Sequence, residues 1–168
     1  MKAINILLLL LFPFLGFSQI KLEPQKLFDQ KIQISIPAEL KKTDHPVSSV
    51  SDEVLFVNKN RDIILSITYP METLNLNQFY AYKRFLIKGM KQDFPNIVIA
   101  DSGVVKNNEI QIGFIECQEI VDDKTVYTSI YFTSIKGRLF KITLEYIKEY
   151  QDQWKNISKD MLETLKVF

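Results

Sequence analysis

The sequence predicts an α+β domain in which an antiparallel sheet, including a three-stranded meander, packs against helices. Three observations predict it. Apolar residues alternate with polar ones in three consecutive segments between Glu109 and Tyr146. Short polar turns, Asp122-Asp123-Lys124 and Lys136-Gly137, separate those segments. Two further segments, Leu76–Met90 and Tyr150–Leu165, space their apolar residues three and four apart, which is the period of an amphipathic helix.

The chain opens on a leader. Lys2 is the one charge in the first eighteen residues, and an apolar run from Ile4 to Leu15 is interrupted only by Asn5 and Pro13. Gly16 and Ser18 then supply the small residues that precede a cut between Ser18 and Gln19. A basic start, a short apolar core and a small-x-small end are the parts of a secretory signal peptide. The run is shorter than the ~20 residues that span a bilayer. The Leu15-Gly16-Phe17-Ser18-Gln19 ending resembles a bacterial export signal. Residues 1–18 are therefore expected to be removed, leaving 19–168 as one globular domain in the periplasm or outside the cell. A lipoprotein needs a cysteine at the cut, and the one cysteine is Cys117, so no stable membrane anchor is expected after cleavage.

Composition narrows the function classes. The chain carries 21 basic and 20 acidic residues, and without Lys2 the two balance. Nothing in that overall balance resembles the strongly basic footprint of a nucleic-acid binder or of a polybasic membrane-surface protein. A single cysteine in an exported domain forms no internal disulfide, so the hydrophobic core must hold the fold.

The elements follow in order. Ile32, Ile34 and Ile36 alternate up to Pro37, predicting a first strand that proline ends. A polar loop through His45 leads to two strands between Glu53 and Tyr69, hairpinned about Asn58-Lys59-Asn60, where asparagine tolerates left-handed backbone. Asn75 with Gln78 three residues on is a capping-box pattern opening a helix through Leu76, Phe79, Tyr80, Leu86, Ile87 and Met90, closed by Gly89 and Pro95. Arg84, Lys88 and Lys91 make a basic stripe on it. The stripe reads as a solvated face, with docking to an acidic partner as the alternative. A short strand follows at Ile97–Ala100, then the meander. In its first strand Glu116 and Gln118 fall on the side of Ile110, Ile112 and Phe114, which predicts a bulge near Cys117 or an exposed strand end. Tyr150, Trp154, Ile157, Met161 and Leu165 predict one terminal helix with Trp154 anchored between helix and sheet.

A strand ending in proline, "FDQKIQISIP", and a strand "GRLFKITLEY" running directly into an aromatic-bearing helix that closes on "MLETLKVF" resemble the PsbP-like α/β/α sandwich family. The resemblance spans nearly all of 19–168. It implies an antiparallel sheet between helices, used by small exported or lumenal proteins as a binding and assembly module. It brings no catalytic motif and so no site residues. A cystatin-like α+β fold is the alternative.

The chemistry-bearing residues are few. One Cys and one His offer no zinc-ligand spacing, no phosphate loop or Gly-x-Ser-x-Gly elbow is present, and no metal or cofactor is expected. His45 lies in a loop with Asp44, Ser48, Ser49 and Ser51 as neighbours. Glu116 and Glu119 fall on opposite faces of a regular strand. Cys117, among β-forming residues, reads as a buried inert thiol. The residues expected to share one sheet face as a recognition surface are Tyr127, Tyr131, Lys141, Thr143 and Glu145. The expected function is that of an exported, non-enzymatic protein-binding or assembly module of the cell envelope, whose partner is another envelope or secreted protein and not a nucleic acid. The alternatives are a carrier of a small apolar ligand, for which the phenylalanines offer aromatic material, and, more remotely, a hydrolase using His45 or Glu116.

Overall fold

A computed structural model describes residues 20–43, 52–107 and 110–168. The leader and the loop carrying Asp44, His45, Ser48, Ser49 and Ser51 lie outside the described residues. In chain order come β1 (Leu22–Leu27), β2 (Ile32–Pro37), β3 (Lys41–Lys42), β4 (Glu53–Val57), β5 (Ile63–Thr68), α1 (Phe79–Asp93), β6 (Val98–Asn107), β7 (Ile110–Val121), β8 (Lys124–Ile135), β9 (Arg138–Ile147), α2 (Gln151–Trp154), α3 (Ile157–Glu163) and β10 (Lys166–Val167). They form a seven-stranded sheet in the order β3-β4-β5-β9-β8-β7-β6 and a three-stranded sheet in the order β1-β2-β10. Every pairing is antiparallel.

The meander is β7-β8-β9. Two two-residue turns set its register, with φ of 49° and 63° at Asp122 and Asp123 and of 51° and 78° at Lys136 and Gly137. Two consecutive left-handed residues give the turn whose twist matches paired strands. The partners that follow are Val121 with Lys124 and Ile135 with Arg138.

Directly opposed residues share a face, so the register divides the large sheet into two. One face carries Ile63, Leu65 and Ile67 of β5, Phe140, Ile142 and Leu144 of β9, Tyr131 of β8 and Ile112 of β7, all buried. It packs against the small sheet through Ile32, Ile34 and Ile36 and against Trp154, Ile157, Met161 and Leu162. The other face carries Phe132 and Leu139, which with Leu74 and Phe79 form a smaller cluster flanked by Tyr82, Leu86 and Val104. The layers are therefore α1, the large sheet, and a second layer built from the small sheet with α2 and α3.

Several expectations are corrected in detail. β1 precedes β2 although it contains Pro24; it is an edge strand, where a missing N–H costs little. The hairpin at Asn58 forms, but its left-handed residue is Arg61, at φ 61°, while Asn58 Oδ1 accepts the Ile63 N–H at 3.2 Å. β6 runs ten residues, not four, because it pairs with β7 along its length; within it Gly103 leaves room for the Phe114 ring, and a Cβ there would lie 2.7 Å from Phe114 Cε1. The bulge near Cys117 lies on β6, where the register skips Ala100 between Ile99 and Asp101. Gly89 sits inside α1 instead of closing it. Leu76 and Tyr80, expected on the buried stripe, face solvent. The terminal helix is two short helices, and the chain then returns as β10 against β2. Thr164 Oγ1 makes that junction, accepting the Ser35 N–H at 2.8 Å and donating to Met161 O at 2.7 Å. Trp154, 1% exposed, is the expected anchor.

Gly113 generates a prediction. It sits directly opposite Phe132, and a Cβ would fall 2.0 Å from the ring's Cζ. The ring has nowhere to go, since it is fully buried with Phe79 and Tyr82 at centroid distances of 5.7 and 5.1 Å. Gly113→Ala is expected to cost about 1–3 kcal/mol by overpacking. In urea unfolding its cost should shrink in a Phe132→Leu background, and simple additivity of the two would contradict this contact.

Candidate functional site

The five residues expected to form one surface do not do so. Tyr127 is opposed by Tyr146 and Tyr131 by Ile142, whereas Thr143 is opposed by Ile130 and Lys141 by Phe132. Across the two-residue turn at Lys136-Gly137, odd-numbered residues of β8 meet even-numbered residues of β9. Tyr127 and Tyr131 therefore lie on the face toward α3, and Lys141, Thr143 and Glu145 on the face toward α1. A shift of one residue in register exchanges the faces of a whole strand, which is why the constellation splits cleanly in two.

The two tyrosines organise the α3 side. The Tyr127 ring stacks on Tyr146, with centroids 5.6 Å apart. Tyr131 stacks on Phe114 at 6.0 Å and is 8% exposed. Its hydroxyl donates to Glu116 Oε1 at 3.3 Å. Burial, then the charge and hydrogen bond of Glu116, raise the Tyr131 phenol above its ordinary value. Tyr131 therefore stays protonated and serves as a fixed donor.

Above this pair runs a groove of about 500 Å³ between α3 and the β6-β7 edge of the large sheet. Ile112, Phe114 and Tyr131 form its floor, with Val105 and Leu162 on its sides. Five charged residues surround them: Asp101 and Lys106 from β6, Glu116 from β7, and Lys159 and Glu163 from α3. Asp101 lies directly opposite Glu116 on the sheet. The groove joins elements distant in sequence, so no local pattern marks it. The visible signal was the run of Glu116 and Gln118 on an otherwise apolar strand face, and the structure places Glu116 in the groove.

The other face brings Lys141, Thr143 and Glu145 alongside the smaller apolar cluster and forms no site of the same kind. Lys141 lines a separate groove of about 360 Å³ beside Tyr82 and Phe85 of α1. Burial, with Glu72 adding, pushes the Tyr82 phenol up to about 12. Cys117 is 3% exposed, with Sγ 3.6 Å from Thr128 O, and burial pushes its thiol up to about 11. A thiol so held is a poor nucleophile near neutrality, as its sequence surroundings suggest. Glu116 and Glu119 lie on opposite faces, as expected. Among the described residues no group of three or more His, Cys, Asp or Glu is placed to hold a metal ion.

A scan against protein-family models finds no match, and a search of the curated proteins finds none. Solved structures do match. The solution structure of cyanobacterial PsbP (CyanoP) from Synechocystis sp. PCC 6803 aligns with a TM-score of 0.68 over 91% of this chain and 96% of that one, at 13% identity. This chain has the PsbP-like fold. The Ran-binding protein Mog1p of Saccharomyces cerevisiae aligns with a TM-score of 0.63 over 89% of this chain and 96% of its own, at 12% identity. A Pseudomonas aeruginosa protein described as a putative regulator gives 0.52 over 88% and 97%, at 10% identity. Identities this low speak to the fold alone. Of the two folds expected from the sequence, the PsbP-like sandwich is the one found.

Glu145 makes the α1-side face testable. Burial, with the charge of Glu119 adding, holds its carboxyl above the usual carboxylate range. An acid whose pKa is raised on folding binds its proton more tightly when folded, so stability falls as pH rises from the ordinary carboxylate value through the raised one. Glu145→Gln is expected to raise the thermal midpoint near neutral pH, with the gain vanishing at acid pH. Circular dichroism melts across that range check it, and a gain that persists at low pH would mean the ionisation is not the cause.

Proposed function

We propose that this chain is an exported, non-enzymatic protein-binding module of the cell envelope, and that the groove beside α3 is where it takes its partner. The observation that carries the reading is the groove's composition: an aromatic floor of half-buried Phe114 and buried Tyr131 with a pre-oriented Tyr131–Glu116 pair, ringed by both signs of charge. Aromatic side chains at the centre with a polar rim are the ordinary anatomy of a protein interface. The charged rim also favours a protein over a small apolar ligand, because such a ligand would desolvate Asp101, Glu116 and Lys159 without pairing them. The leader supports export. The fold supports binding by analogy, since Mog1p is by name a Ran-binding protein.

Tyr127→Ala and Tyr131→Ala would test this badly, since both rings belong to the core cluster or pack on it. Val105, 48% exposed, and Lys159, exposed, line the groove without holding up the core. Tagged chain is incubated with envelope extract, and recovered proteins are identified by mass spectrometry. A protein recovered with the parent and lost with Val105→Arg and with Lys159→Glu, at unchanged thermal midpoint, is the expected result. Equal recovery with both variants would remove the groove as the site, and a bound small molecule in a native mass spectrum would turn the reading to the ligand carrier.

A further inference from the structure

We propose that the outward side of α1 docks reversibly on an anionic lipid surface. The helix lies on the opposite face of the large sheet from the groove, so the proposal is independent of the partner reading above. It starts from an anomaly in how α1 is held. Of its fifteen residues only Phe79 is buried, and Tyr82 and Leu86 are half-buried against the sheet. Large apolar side chains around it are left in water: Leu76 is 66% exposed, Tyr80 57%, Phe85 69% and Phe94 49%. Exposed apolar residues scattered singly need no explanation, but a concentration along one element does.

The same side carries the charge. At 3.6 residues per turn Tyr80, Arg84, Lys88 and Lys91 fall on one side of the helix, with Phe85 at its border. Arg84, Lys88 and Lys91 are exposed, and among the described residues none of them has an ion-pair partner. With Lys83 the helix holds four basic residues against one acid, Asp93. The near-neutral chain thus hides a local excess of positive charge on a weakly covered helix.

Basic and apolar groups so mixed fit a lipid headgroup layer better than a protein. The cores of protein interfaces are depleted in lysine, whose ammonium is costly to dehydrate. At a bilayer surface Lys and Arg keep their heads among phosphates while their stems and the neighbouring Phe and Leu enter the acyl boundary, and Tyr sits at the junction. A fifteen-residue helix is about 22 Å long, too short to span. No helix among the described residues is long and apolar enough to cross a membrane. The contact is therefore peripheral.

Cosedimentation with vesicles tests it. Residues 19–168, the span that holds every described element, are mixed with vesicles of phosphatidylcholine alone and with vesicles of equal parts phosphatidylcholine and phosphatidylglycerol, so that the apolar leader cannot itself carry the chain onto both kinds. The expected result is strong preference for the anionic vesicles, weakened by salt. Each basic residue near such a surface is worth about fivefold in partitioning, so the triple variant Arg84→Glu/Lys88→Glu/Lys91→Glu should lose about a hundredfold or more. Leu76→Ser/Phe85→Ser should lose about tenfold at unchanged charge. The variant Lys26→Glu/Lys124→Glu/Lys155→Glu makes the same change in net charge on other exposed positions and should retain most of the binding. Equal partition onto both vesicle types overturns the proposal and leaves the stripe to an acidic protein. So does a loss as large in the Lys26/Lys124/Lys155 variant as in the α1 variant, which would reduce the effect to net charge. A folded Lys88→Gln variant, with a fewfold loss, serves if the triple variant does not fold.

Discussion

Two dipeptides decide which side of this molecule is which. Asp122-Asp123 and Lys136-Gly137 each place two residues in the left-handed region and join their strands with no residue to spare. Three of these four residues have a Cβ and pay for that conformation, so the surrounding pairing must hold them there. In return the parity of the meander is fixed. Ile112, Tyr131, Phe140, Ile142 and Leu144 are all turned toward the small sheet and α3, and Phe132 and Leu139 toward α1. Both grooves, the Tyr131–Glu116 hydrogen bond and the tight fit of Gly113 under Phe132 are consequences of that parity.

The sequence carried the architecture more plainly than the site. Alternation and turn chemistry located β7, β8 and β9 nearly to the residue, and Asn75 with Gln78 marked the start of α1, where Gln78 Oε1 does accept the Asn75 N–H at 2.9 Å. Trp154 was legible as an anchor because an aromatic in an apolar helical stripe needs a surface to cover. The recognition face was misplaced for a reason also present in the sequence: a two-residue turn makes odd residues oppose even ones, which separates Tyr131 from Thr143. Other features were not legible. β6 outruns its propensity because Asp101, Ser102 and Gly103 are held by pairing with β7, a tertiary effect that overrides local preference. The break between α2 and α3 has no proline or glycine to announce it, and β10 is two residues long.

The two clusters are unequal, and the inequality shapes the two surfaces. The small-sheet side gathers most of the buried side chains, including Trp154 and the isoleucines of β2, so the α3 groove rests on a stiff floor. The α1 side is held chiefly by Phe79, Phe132, Leu74 and Leu139. Arg138, the first residue of β9, braces the small-sheet side, with its guanidinium 4.1 Å from the centre of the Tyr69 ring and hydrogen bonds to the carbonyls of Tyr69 and Pro70. A rigid site on one side and a lightly attached helix on the other is the expected distribution where stability is not uniform across a fold.

The return of β10 to β2 has a consequence for how the molecule comes into being. Ile32, Ile34 and Ile36 are synthesised early, yet their cover is Trp154, Ile157 and Met161, and the strand that closes their sheet is Lys166–Val167. A nascent chain can assemble β7, β8 and β9 from near neighbours as they emerge, because those pairings close short loops. The second layer has to wait until Lys166–Val167 has emerged. Until then the isoleucine strand is an unclaimed adhesive segment, open to chaperones. Commitment to the native state is thereby deferred until a strand about 130 residues further along the chain is available.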